Sequence, residues 1–141
     1  MTSAQPNHER TFVGSLGFST LIVRPGDTAA ANGIGDLTVV NNSVLVSLFE
    51  SAAIAAINEF FETGISTICT VMNVEFVTSA AIGAELQASA QCISHFDDEI
   101  AFDCEIYEGE RLVARANQVR KIVDRVTFLA RTAAQSLFEA E

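Results

Sequence analysis

The sequence predicts an α+β domain in which an antiparallel β-sheet wraps around one long central helix. Three observations carry that expectation. The stretch NNSVLVSLFESAAIAAINEF, 41–60, opens an apolar helix over about residues 42–61, whose one charge between Ser43 and Asn58 is Glu50. Several strands with short connections follow it. The totals, 141 residues of which 49% are apolar, with ten Phe and no Trp, fit one core-forming domain, large enough to bury roughly two thirds of its unfolded surface.

The elements follow in order. Residues 1–10 are polar and read as a flexible leader, leaving 11–141 as the domain. TFVGSLGFSTLIV, 11–23, is rich in β-branched and aromatic residues and reads as a strand with glycine irregularities. RPGDTAAANGIGD, 24–36, is small and Gly-containing, a loop with room for a short helical turn. The loop 24–40, with Ala29, Ala30, Ala31, Gly33 and Gly35, reads as a mobile lid. Asn41, Asn42 and Ser43 are all good N-cap types, so the helix start is well marked. Leu45, Leu48, Phe49, Ala52, Ala53, Ala56, Ile57 and Phe60 then recur at helical spacing. Val46, Ile54 and Phe61 fall outside that stripe, so the helix is expected to be buried on several sides. Gly64 is placed to end it.

Strands are expected at 65–77, 84–96, 100–108 and 111–124, and a terminal helix from 125. IAFDCEIYE, 100–108, alternates strongly. Phe102, Cys104 and Ile106 share one face, and Ala101, Asp103, Glu105 and Tyr107 the other, the mark of a half-buried antiparallel strand.

Charge narrows the function classes. The formal net charge is −10, which disfavours an overall nucleic-acid binder. Six of the eight basic residues lie in the last 31 positions. They read either as a solvated face or as a local anion site on an acidic protein. Cys69, Cys92 and Cys104 lack metal spacing and sit among apolar or β-branched neighbours. They are expected as buried free thiols in a reducing, cytoplasmic compartment. The leader lacks the apolar core of a secretion signal. No apolar run is expected to reach the ~18 residues of a membrane span. Neither a membrane nor a metal is expected.

The segments NNSVLVSLFESAAIAAINEF, ICTVMNVEFVTSAAIGAEL and ARANQVRKIV together resemble the hotdog fold, and within it the fluoroacetyl-CoA thioesterase-like group. The resemblance covers residues 37–123. It implies an acyl-CoA thioesterase-like hydrolase, with coenzyme A as part of the substrate and no separate cofactor, working as a homodimer. In that group a helix glutamate acts with a hydroxyl residue near the helix start and a histidine on the following strand. The acidic position falls on Glu50, the hydroxyl position on Asn42 with Ser43 beside it, and the histidine position on Glu75.

Glu50 carries two readings. One is a salt-bridged or dimer-contact carboxylate, paired with a C-terminal arginine. The other is a partly desolvated carboxylate lining a pocket, where it activates water or attacks a thioester carbonyl. The tetrahedral oxyanion would be stabilised by backbone N–H groups at the helix start. Glu75 is either a solvent-facing strand residue or the second carboxylate of a shared site. Arg115, Arg120 and Lys121 form the candidate cluster for coenzyme A phosphates. The rival reading is a hotdog protein that binds acyl-CoA or another hydrophobic carboxylate without hydrolysing it.

Overall fold

The computed structural model describes residues 13–140. The leader and the first residues of the expected opening strand, Thr11 and Phe12, lie outside them. Five strands form one antiparallel sheet: β1 Leu16–Ile22, β2 Ile65–Phe76, β3 Glu85–Phe96, β4 Glu99–Glu108 and β5 Arg111–Asp124. Their spatial order is β1-β3-β4-β5-β2, which leaves β1 and β2 as the edges. Two longer helices complete the fold, α1 Asn42–Ile57 and α2 Arg125–Ala140. A 3-10 turn, Asn58–Phe60, extends α1.

The alternation expected in β4 is observed, with Phe102, Cys104 and Ile106 buried against α1. Leu86, Ala88, Ala90 and Cys92 of β3 join them. From the helix side come Leu45, Leu48, Phe49, Ala52, Ala53, Ala56 and Ile57, the residues of the apolar stripe. Their size explains the closeness of the layers. Gly17 of β1 lies against the helix backbone so tightly that an added Cβ would meet Ala52 O at 2.2 Å and Ala56 N at 2.3 Å. The glycine that looked like a strand irregularity is a contact point between sheet and helix.

The helix is not covered all round. Ser43, Ser47, Ser51, Ile54, Ala55 and Asn58 face outward and are exposed. The sheet covers the opposite side, and the exposed strip is made tolerable by three serines spaced one helical turn apart. By length and composition alone, Asn42–Phe60 (19 residues) would pass as a membrane span. Its place beneath a five-stranded sheet accounts for the same apolarity.

Two other expectations are corrected. Asn41 is the N-cap residue, yet its side chain makes no capping hydrogen bond. Gly64 adopts φ 99° but lies beyond the 3-10 turn, at the start of β2. The loop 24–40 carries its own scaffold. Thr28 Oγ1 donates to Pro25 O at 2.9 Å and accepts from Ala31 N at 3.2 Å, while Asn32 Nδ2 donates to Thr28 O at 2.8 Å. The loop is fixed to the segment after β2 by the Val39–Ala81 bridge and by Val40 N donating to Ala80 O at 2.9 Å. These bonds place the start of α1 beside the C-terminal end of β2.

Candidate active site

Glu50 stands on the flank of α1 that faces β5 and β2. It is not stranded in hydrocarbon, since its side chain is 38% exposed and its Oε1 accepts from Arg120 Nη1 at 2.9 Å. The alternative reading of a carboxylate paired with a C-terminal arginine is therefore the observed one.

Arg120 comes from β5, where residues 114, 116, 118, 120 and 122 share the helix-facing side. Its side chain is only 3% exposed, and a buried guanidinium is tolerated only if its donors are used. They are. Nη1 also donates to Gln118 Oε1 at 3.1 Å, Nε to Thr67 Oγ1 at 2.9 Å and Nη2 to Thr67 O at 3.2 Å. Gln118, 1% exposed, in turn donates to Phe49 O at 3.1 Å and to Cys104 Sγ at 3.5 Å. A chain of bonds thus runs from the helix backbone through Gln118 and Arg120 to the carboxylate and across to β2.

Cys69 borders this cluster. Burial pushes its thiol pKa up, the nearby Glu50 charge adds to this, and Arg120 and the Val71 carbonyl oppose it. Cys92 and Cys104 are pushed up to about 11, chiefly by burial. All three are free thiols, and none is primed as a nucleophile.

Glu75 and Arg120 are not where their functional readings would put them. Glu75 lies on the outer face of β2, where its carboxylate accepts from Arg115 Nε at 2.9 Å. Both side chains are more than half exposed. Glu75 cannot share a site with Glu50, because the sheet stands between them. Arg120 does not belong with Arg115 and Lys121, because strand alternation sends it inward and the other two outward. Lys121 faces Asp98 at 3.8 Å. A concavity of about 720 Å³ opens on the polar outer face around Glu75, Arg115, Asp103 and Glu105. Neither Glu50 nor the start of α1 lines it.

Asn42 and Ser43 open α1 and are exposed. Val44 N is already used, donating to Asn41 O at 3.0 Å. Ser43 is seven residues before Glu50, about two turns, and so shares its side of the helix. It also lines a groove of about 340 Å³ between α1 and β1, with Ser47, Ser51 and Ser19. Ser19 Oγ donates to Ser51 Oγ at 3.0 Å. Thr67, Gln118 and the inward role of Arg120 were missed from the sequence, although the alternation of ARANQVRKIV carried the signal for the last two.

A five-stranded antiparallel sheet on one apolar helix, with a glutamate midway along that helix, defines the class as a hotdog-fold protein. The family model described as fluoroacetyl-CoA-specific thioesterase matches residues 23–126, and the chain belongs to that family. The solved structure of the fluoroacetyl-CoA thioesterase FlK superposes with a TM-score of 0.81 at 17% identity, over 86% of this chain and 95% of that one. A Thermus thermophilus hypothetical protein, described as a thioesterase superfamily member, gives a TM-score of 0.82 at 20% identity over 92% and 96%. A hot-dog-like protein from Thermanaerovibrio acidaminovorans gives 0.79 at 13% over 87% and 91%. At these identities the structural likeness shows the fold. The comparison with curated proteins returned no match.

Proposed function

We propose that the protein hydrolyses an acyl-CoA thioester, with Glu50 positioning and deprotonating the attacking water. One observation carries the reading. Glu50 is held through Oε1 by a buried arginine, yet 38% of its side chain remains open to solvent. A base needs both a fixed orientation and access to its proton donor. Arg120 supplies the first and the exposed strip of α1 the second.

The oxyanion of the tetrahedral intermediate is met by the N–H groups of Asn42 and Ser43 at the positive end of α1. Glu50 lies eight residues further on, about 12 Å along the axis. Its side chain leans back toward the helix start, and a water plus the thioester carbonyl fill the remaining gap. Attack forms the carbon–oxygen bond, and collapse expels the coenzyme A thiolate, which takes up the proton. Asn42 orients the water or caps the oxyanion through its amide, in place of a hydroxyl. The protein works as a homodimer in a reducing, cytoplasmic setting. Arg115 and Lys121, both about half exposed, remain as surface cations for the nucleotide phosphates.

A second reading, acyl-CoA binding without hydrolysis, is favoured by one observation. Among the described residues His95 is the single histidine, and its Nε2 is engaged with Asp97 O at 3.0 Å at the β3–β4 turn. A panel of short, branched and aromatic acyl-CoAs separates the two readings, with thiol release and calorimetric binding measured side by side. Turnover supports the hydrolase, and saturable binding without thiol release contradicts it.

A further inference from the structure

Helix α2 leaves the sheet with almost nothing packed on it. Val126, Leu129, Leu137 and Phe138 are 73%, 54%, 71% and 80% exposed. Val126, Leu129, Ala133 and Leu137 follow helical spacing, so they form one apolar stripe with Phe138 at its margin. A second apolar patch lies elsewhere. Phe76, Val77 and Ile82 at the far end of β2, with Ile34 and Leu37 of the adjoining loop, are 41–65% exposed.

The two patches sit at opposite ends of the same edge strand. α2 is tied to the N-terminal end of β2, where Ile65 pairs with Asp124 and Arg125 N donates to Gly64 O at 2.8 Å. The other patch adjoins Phe76. Twelve residues of strand separate them, about 40 Å at 3.3 Å per residue, while 16 residues of helix span only about 24 Å. One chain therefore cannot bring its own stripe onto its own patch. Two chains can. β2 is a long free edge, which a second copy can extend. Antiparallel pairing of β2 with its symmetry mate places the Ile65 end of one beside the Phe76 end of the other. Both copies are then served by the same two-fold operation. Charge agrees, since Asp36 stands between Ile34 and Leu37, and α2 carries Arg131.

We propose that α2 of one protomer packs its apolar stripe over the Ile34–Leu37 and Phe76–Ile82 patch of a second copy. Because that patch adjoins the start of α1, each active site is roofed by its partner's terminal helix. This rests on the homodimer proposed above.

The test replaces Phe138 with a photoreactive benzophenone amino acid. Chains of ordinary and heavy-isotope composition are mixed, irradiated and mapped by mass spectrometry, with ultracentrifugation of the same sample. The expected result is a dimer with mixed-isotope cross-links from position 138 into residues 34–37 or 76–82. A dimer whose cross-links stay within one chain, or reach the β1 edge, overturns the helix contact and leaves the homodimer standing. A monomer overturns both, and thiol release still tests the hydrolase separately. The double variant Leu137→Glu with Phe138→Glu should weaken dimerisation at least tenfold with an unchanged far-UV circular dichroism spectrum. An unchanged dissociation constant contradicts the proposal.

Discussion

Arg120 Nη1 lies 2.9 Å from Glu50 Oε1, joining β5 to the central helix across 70 positions of sequence. The pair is asymmetric, with the guanidinium enclosed and the carboxylate open to solvent. The arginine is therefore the structural partner, with further bonds to Thr67 and Gln118, and the glutamate keeps an open side.

Arg120→Lys keeps the charge and loses the planar fork that reaches Glu50, Gln118 and Thr67 together. Stability should fall by about 1–3 kcal/mol, the range for leaving buried polar groups unsatisfied. Activity should fall through kcat more than through KM, because the substrate is not held by this residue. Urea unfolding and steady-state kinetics on the same preparation check both parts.

Glu75→Gln tests the negative side of the assignment. Glu75 and Arg115 are an exposed pair on the outer face, worth at most ~1 kcal/mol. The variant should keep kcat and KM within about twofold, since loss of a true acid or base costs on the order of a hundredfold or more. A large drop in kcat would place Glu75 in the chemistry.

Gly17→Ala should be the most damaging methyl addition in the sheet. Its Cβ would overlap the backbone of Ala52 and Ala56, and neither backbone can yield without moving α1 from β1. Overpacking costs roughly 1–3 kcal/mol where side chains can shift, so a backbone clash should cost at least ~3. Thermal unfolding of the variant, compared with Gly26→Ala at an open position, measures this directly.

Asp124 caps α2, its Oδ2 accepting from Thr127 N at 3.0 Å. The bonds from Thr127 hold its carboxyl below the ordinary aspartate range. A folded-state pKa that is lowered means the stabilisation is present above the unfolded value and is lost as pH falls through the folded one. The α2 carbon chemical shifts should move toward coil on acidification below the usual carboxylate range. Asp124→Asn, which caps without titrating, should show no such step.

Much of the fold could be read from local pattern. The stripe from Leu45 to Ile57, the alternation of Phe102, Cys104 and Ile106, and the 111–124 strand depend on near neighbours, and all are observed as expected. The site was legible only in part. Glu50 announced itself as a lone charge on an apolar helix. Its partner did not, because proximity in sequence to Lys121 suggested a surface cluster, whereas a period of two puts the adjacent residues on opposite faces. The same rule explains Glu75, whose neighbours Val74 and Phe76 take the inner side. The shift in register between Cys69 and Val71 left no mark in the sequence, and it decides which β2 side chains reach Glu50. Nor could the sequence show that serines would line the open side of α1.

Glu50→Gln gives the most direct test of the central claim, because it preserves shape and hydrogen bonding to Arg120 while removing the base. Thiol release from the best acyl-CoA in the panel should fall by about a hundredfold or more, as expected for loss of a general base. Substrate affinity and thermal stability should be little changed. Hydrolysis that survives the substitution within a few-fold would contradict the account and remove Glu50 from the reaction.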